Sequence, residues 1–549
     1  MSFTNPILPG AYPDPSICRV GDDFYMVNSS FEMFPGLPIH HSRDLVNWEL
    51  VGHGLHRKEQ CIDPICLTDV QSDGGIHAPT MRYHKGLFYI ITTNVYVPQD
   101  CPEGFNPCKN FIITAKDPAG PWSEPQVIDG APGIDPDIFF DGDGRVWYVG
   151  THTPEDQAYP GQGEIWLQEL DLATVSLKGE RHFLWRGTGG DWVEGPHIYK
   201  YNDRYYLMTA EGGTGFNHAV TVASSATITG PYVSNPKNPV LTSRHLGLDY
   251  WVNSTGHGDL VQLSDGRWFM VCLGIRNDIE GRSNMGRETH LVPVTWEADH
   301  YGIDENKSDI LWPVCAPGTG RVEKCAERPF ASAPLNDKNH FVDDFSTPEL
   351  SKEWTYRRVP RAATCEVLPE QKRLRIRSGK PVGERVSASL AGFRQKQSHF
   401  RFQATLHLPE TFENSESGIG LIQKDDHHLL MSLMKKGANP ELAVTLNGEQ
   451  LAVSELPSGI RDLQLMITCD QNGYHCSYAV ATESNSEQIG VIKNIPVNTM
   501  LSRYYTGALC CLHSSLDSSL DSSLKSESAI EFVDFSKVRF EPVLTATVC

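Results

Sequence analysis

"PDPSICRVGDDFYMVNSS", residues 13–30, sets the reading of the first half of the chain. A polar residue between two prolines opens it and an apolar strand follows. A Gly-Asp-Asp turn then reverses the chain into a second strand rich in aromatic and β-branched residues. That order is the signature of a hairpin. Four later stretches repeat it: "HAPTMRYHKGLFYIITTN" (77–94), "IDPDIFFDGDGRVWYVGT" (134–151), "VEGPHIYKYNDRYYLMTA" (193–210) and "TGHGDLVQLSDGRWFMVCLG" (255–274). The matching aromatics Tyr25, Tyr89, Tyr148, Tyr206 and Phe269 are 64, 59, 58 and 63 residues apart. A period of about 60 leaves room for four strands per unit, and strand-like pieces such as "NFIITAKDPAGPWSEPQVI" fill the intervals. Long amphipathic helical patterns are absent. Five such units predict a five-bladed β-propeller over residues 1–318.

In a propeller the first strand of each blade lines the central channel, so the polar residues opening the hairpins should converge. Counting back eleven to thirteen residues from each aromatic gives Asp14, His77, Asp135, Glu194 and His257. A Pro-Asp-Pro or Asp-Pro-Asp motif taken singly reads as a turn. Three carboxylates at one phase of a repeat outweigh that reading. Hydrolysis of a glycosidic bond needs such a set: one carboxyl protonated to assist the leaving oxygen, one ionised to activate water or attack the sugar. A third nearby raises the pKa of the acid by repulsion.

After "LWPVCAPGTGRVEKCAERPFASAPLNDK" the repeat stops. Its Pro, Ala and Gly content marks residues 319–340 as a linker. Alternating segments such as "HFRFQATLHL" and "DLQLMITCDQNGYHCSYAVA" then predict a β-sandwich, jelly-roll or concanavalin-like, over 341–549. The tandem "SSLDSSLDSSLK" at 514–525 reads as a polar loop insertion without an assigned role.

The 549 residues carry a formal charge of −21, which argues against nucleic acid or an anionic membrane surface as partner. A small neutral oligosaccharide fits better. No apolar run is long enough to span a membrane, and "MSFTNPILPGAY" has no basic region followed by an apolar stretch, which predicts no secretory signal. The 14 cysteines are scattered without a CxxC pair, so free thiols in a reducing cytoplasm are expected.

Together, "NPILPGAYPDPSICRVGDDFYMVNSSFEMFPGLPIHHSRDLVNW", "GIDPDIFFDGDGRVWYVG", "VEGPHIYKYNDRYYLMTAEGG" and "STGHGDLVQ" closely resemble glycoside hydrolase family 43. The match is to its two-domain β-xylosidase and α-L-arabinofuranosidase branch, and it covers nearly the whole chain. The resemblance implies single-step inversion with Asp14 as general base, Glu194 as general acid and Asp135 as pKa modulator and orienter. Asp137 lies past a proline two residues on, and parity alone does not exclude it; the family pattern favours Asp135. The resemblance also implies substrate contacts from Phe31, His77, His257 and Arg287, and an aromatic from the sandwich, Tyr504 or Tyr505, closing the pocket. No cofactor is required, although some members hold calcium beside the histidine matched by His257. The sequence departs from the family in "GGIHAPT", where His77 and Thr80 replace a tryptophan and an aspartate. That leaves the choice between xylose and arabinose open.

The expected activity is therefore exo-acting, inverting release of terminal β-D-xylose from xylo-oligosaccharides. An α-L-arabinofuranosidase, or both activities, is the alternative within that chemistry. A non-catalytic sugar-binding propeller is the alternative outside it. Enzymes of this type often form homo-oligomers, but no interface is readable in the sequence.

Overall fold

Five antiparallel sheets, each built from strands close in sequence, follow one another around a ring. The structure is a computed structural model. It describes every residue except 280, 299–309, 332–333, 361–362, 410–414, 436–439, 482–486, 503–504, 517–531 and 544–549. The innermost strands are Ser16–Val20, Gly75–His84, Ile134–Phe140, Glu194–Tyr201 and Val252–Gln262, in blades 1 to 5. Each hairpins back into the aromatic-rich strand that the repeat predicts: Asp23–Val27, Leu87–Val95, Val146–His152, Arg204–Glu211 and Trp268–Arg276. The apolar side chains lie between neighbouring blades. Val27 and Ile39 of blade 1, for example, join Ile90 and Ile113 of blade 2 in one buried cluster. The middle of the ring is left to polar residues.

That centre is held by one cation. Arg82, from the inner strand of blade 2, donates to Asp259 at 2.9 Å and to Asp137 at 3.0 Å. Asp259 also accepts from Ser16 Oγ (2.7 Å) and the Tyr199 hydroxyl (2.6 Å), so the inner strands of four more blades meet on this network. Burial pushes the Asp259 carboxyl up, but Arg82, His197 and the two hydroxyls outweigh it and hold it well below the usual range. Asp137 is thereby occupied as the counter-ion of Arg82.

The cross-strand register corrects the phase counted from the sequence. Ser16, Thr80, Asp137, His197 and Asp259 pair with Val27, Ile91, Val149, Met208 and Val271, and are equivalent. Two residues before each lies one in left-handed backbone: Asp14 (φ 50), Ala78 (39), Asp135 (55), Gly195 (56) and His257 (47). In blades 2 to 5 the register slips at this point. His77 and Glu194 therefore stand one residue ahead of Asp14, Asp135 and His257, not in phase with them. The count missed this because the hairpins of blades 3 and 5 are one residue longer: Asp14, Ala78 and Gly195 lie eleven residues before Tyr25, Tyr89 and Tyr206, whereas Asp135 and His257 lie twelve before Trp147 and Phe269.

The ring closes through the N-terminal segment. Ile7 N–H donates to Thr289 O at 2.9 Å, and Asn5 exchanges side-chain bonds with the backbone of Leu291. The stretch read as a linker is strapped to the same region: Cys325–Glu327 pairs with Ser2–Thr4, and half-buried Lys338 donates to Thr4 O and Pro6 O. Twelve of the described cysteines are free. Cys325 is disulfide-bonded, against the expectation of free thiols throughout. Spacing along the chain holds no sign of such a pairing.

The C-terminal half is a sandwich of an eight-stranded and a six-stranded antiparallel sheet around one apolar core, including Phe393, Phe402, Leu421 and Phe540. The predicted loop at 514–525 begins differently. Ser514 and Ser515 are buried in the strand Leu509–Leu516, where Ser514 Oγ bonds Ser378 and Ser417 at 2.7 and 2.8 Å. Serine partners satisfy those hydroxyls inside a sheet, which composition alone does not reveal. From 517 to 525 the tract lies outside the described residues.

The two halves are joined by backbone pairing. Tyr356–Arg357 pairs antiparallel with Met33–Phe34, and Arg358 N–H donates to Glu32 O at 2.7 Å. Fully buried Arg357 and Arg358 share Asp425, and Arg357 also meets Glu32 at 2.9 Å.

Candidate active site

The left-handed kink at the start of each inner strand leaves backbone carbonyls without strand partners. Side chains of the second strands cap them. Asn28 Nδ2 donates to Tyr12 O and Pro13 O, and Thr92 Oγ1 to His77 O at 2.6 Å. The entries to the inner strands are thus fixed before any ligand arrives.

Asp14 is buried and engaged on both oxygens. Oδ1 accepts from Arg287 Nη1 at 2.9 Å, and Oδ2 from Ser29 Oγ at 2.6 Å. His257 Nδ1 stands 3.7 Å from Oδ1. Burial pushes this carboxyl up, but Arg287, His257, Ser29 and His77 together outweigh it and leave it below the usual carboxylate range. Asp14 is an ionised base.

Glu194 and Asp135 move the other way. Burial, and then the charge of Asp14, push Glu194 up to about 7, with Arg287 opposing. Burial, Glu194 and Asp14 push Asp135 well above its ordinary value, although Asp135 Oδ2 accepts the Gly195 N–H at 3.1 Å. The two carboxyls titrate as a pair, and at neutral pH the pair retains a proton. One ionised carboxylate therefore faces a protonated one in a water-poor pocket, which is an acid–base arrangement.

The predicted wall assembles around them. Phe31 is edge-on to His77 (4.9 Å between centroids) and stacks with Tyr505 at 6.1 Å. The Arg287 guanidinium lies 5.6 Å from the Phe31 ring and 5.3 Å from Tyr505, whose carbonyl accepts from Nη2 at 3.4 Å. Tyr505 belongs to the sandwich, so both halves of the chain build the pocket. Tyr504 lies outside the described residues. Burial lowers His77 to about 4, and its Nε2–H donates to Asp73 O at 3.0 Å. His257, lowered by burial to about 4, rests over Gly195, where a Cβ would stand 2.9 Å from the ring.

Two contributors escape the sequence pattern. Ser29 also accepts from Ala78 N–H at 2.7 Å, and so ties Asp14 to the neighbouring blade. Asp73, bonded to Lys424 of the sandwich, carries the carbonyl that orients His77. Ser29 follows a second strand and Asp73 sits in a loop, whereas the repeat highlights only first-strand openings.

Among the described residues, no group of three or more His, Cys, Asp or Glu side chains is placed to hold a metal ion. Near His257 the closest carboxylate is Asp14, already taken by Arg287 and Ser29. Calcium prefers six to eight oxygen ligands. These side chains are not a set that selects it, and the chemistry below uses none.

Residues 3–301 match the model of glycosyl hydrolases family 43, and residues 342–521 match that of the beta xylosidase C-terminal concanavalin A-like domain. The chain belongs to glycoside hydrolase family 43. This family 43 enzyme is 37% identical over 525 residues to a xylosidase/arabinosidase of Butyrivibrio fibrisolvens, covering 93% of this chain and 95% of the relative. It is 36% identical over 499 residues, 88% of each chain, to a non-reducing end alpha-L-arabinofuranosidase of Bacteroides ovatus. Its fold superposes on a xylan beta-1,4-xylosidase from Bacillus halodurans with a TM-score of 0.85 at 30% identity, over 98% of this chain and all of that one.

Proposed function

We propose that this hydrolase removes terminal β-D-xylosyl units from short xylo-oligosaccharides by single-step inversion. The carrying observation is the opposite displacement of two carboxyls in one pocket: Asp14 held ionised beside Arg287, Glu194 raised to about 7. Asp14 takes a proton from water as the water oxygen attacks the anomeric carbon. Glu194 gives its proton to the departing glycosidic oxygen. Solvent then exchanges both protons back. Asp135 titrates as a pair with Glu194 and takes the Gly195 amide, which keeps the residue next to Glu194 in place. Arg287 Nε is buried without a protein acceptor and is available to a sugar hydroxyl.

Phe31, Tyr505 and His77 give the terminal sugar an apolar wall with one polar ring. A wall closed by the sandwich suits a chain end, which supports exo action. The second reading, an α-L-arabinofuranosidase or both activities, is favoured by His77, a smaller ring than an indole, and by the names of both relatives above. No cofactor enters the reaction. Cytoplasmic residence draws support from the twelve free thiols, while the disulfide at Cys325 weighs against it. The oligomeric state is left to light scattering.

The test is hydrolysis of 4-nitrophenyl β-D-xyloside, 4-nitrophenyl α-L-arabinofuranoside and xylobiose, compared as kcat/KM. Asp14→Ala and Glu194→Ala should each lower turnover of xylobiose by about 100-fold or more. Proton NMR should find the α-anomer of xylose first. A β-anomer formed first overturns inversion, and activity on none of the substrates overturns the reading itself.

A further inference from the structure

Two residues before Glu194, an aromatic ring is held in the open. Trp192 is 52% exposed, yet its backbone is in the left-handed region at φ 54. A bulky residue enters that region only when its surroundings impose it. Here they do: Trp192 N–H donates to Gly161 O at 2.7 Å, and the preceding carbonyl, of Asp191, accepts Gly212 N–H at 2.7 Å. The loop before them is clamped in turn by buried Glu211, which takes Thr188 N–H (3.1 Å) and Oγ1 (2.8 Å).

None of these bonds uses the indole. Its edge rests on two glycines, where a Cβ would stand 3.3 Å (Gly161) and 3.2 Å (Gly213) from ring atoms. With no side chains there, much of the ring stays bare, and among the described residues it has no aromatic or cationic partner. Phe216, 40% exposed, lies on the loop that the Asp191–Gly212 bond ties to this one. An ordered, strained and uncovered indole has the properties of a docking face.

Its place in the chain says for what. The Trp192 and Glu194 Cα atoms are at most about 7 Å apart. Glu194 gives its proton to the oxygen that leaves with the second sugar, so that sugar starts beside this carboxyl and runs outward past the loop. The C–H face of a pyranose is apolar and flat enough to lie on an indole, while its hydroxyls stay in water.

We propose that Trp192 is the stacking platform for the leaving-group sugar. This rests on the glycosidase reading above and adds the residue that binds the outgoing xylosyl unit. The test compares two substrates that share the terminal sugar: xylobiose, whose leaving group is a xylose, and β-D-xylosyl fluoride, whose leaving group is one atom. In Trp192→Ala the loss of kcat/KM on xylobiose should exceed that on the fluoride by about 10-fold, mostly through KM. Trp192→Phe should recover part of it. A loss on xylobiose carried by kcat with KM unchanged would make Trp192 a support for Glu194, whose proton the fluoride scarcely needs, and would overturn the platform, as would equal losses on both substrates or no loss on either. A wild-type enzyme inactive on both substrates overturns the glycosidase reading instead, and the platform with it.

Discussion

Arg287 Nη1 donates to Asp14 Oδ1 at 2.9 Å, across 273 residues of sequence and between the fifth blade and the first. The contact binds two ends of the ring at the point where chemistry occurs. It also sets the charge state of the pocket, since the guanidinium lowers Asp14, Glu194 and Asp135 alike.

Removing that charge moves both limbs of the pH profile. The acid limb follows ionisation of Asp14, the base, and the alkaline limb follows loss of the Glu194 proton near 7. Without Arg287 both carboxyls hold protons more tightly. In Arg287→Met the plot of kcat/KM against pH should shift to higher pH on both sides, on a lower plateau. A profile that only drops in height would show that the guanidinium does not tune these groups.

The raised acid weakens the fold as pH rises. Glu194 titrates at about 7 when folded against an ordinary 4.5, so the folded state binds the extra proton and stability declines as pH climbs between those values. Glu194→Gln removes that decline. Its melting temperature should exceed that of the wild type at pH 8 and approach it at pH 4.5. A constant difference across that range would contradict the shift.

Gly195 tests the geometry without replacing a titrating side chain. Any side chain there meets the His257 ring at 2.9 Å and sits at φ 56. Gly195→Ala should lower kcat by about 10- to 100-fold, because the residue next to Glu194 moves. Circular dichroism should find the propeller intact. Wild-type turnover would mean that His257 yields freely.

Asp425 carries two buried guanidiniums at the seam between the halves. Asp425→Ala leaves Arg358 without its carboxylate and Arg357 with Glu32 alone. Unfolding in urea should show a loss of about 3 kcal/mol. KM should rise as well, since Tyr505 belongs to the same half. An unchanged midpoint would show that the pair is dispensable.

The fold was legible because its repeat is written in paired strands: each inner strand opens beside a proline or glycine and each second strand carries an aromatic. Asp14, Asp135 and Glu194 stand out for the same reason. The phase slip at Ala78 and Gly195 was hidden, since a left-handed kink leaves no trace in spacing. Ser29 and Asp73 act from positions the repeat does not mark, and their roles depend on the blade or domain beside them. Arg287 and Tyr505 had no internal signal and came through the family resemblance alone. Ser514 was misjudged because a polar repeat resembles a loop until its hydroxyls find each other.

The strand joining the two halves pairs Tyr356 with Phe34 and Arg357 with Met33, immediately downstream of Phe31. A chimaera that exchanged the C-terminal half for that of another enzyme would therefore replace more than a lid. It would reset the backbone register next to the pocket wall and bring in a different aromatic from above. Substrate choice in such hybrids should be inherited through this junction, while the acid and base stay with the recipient.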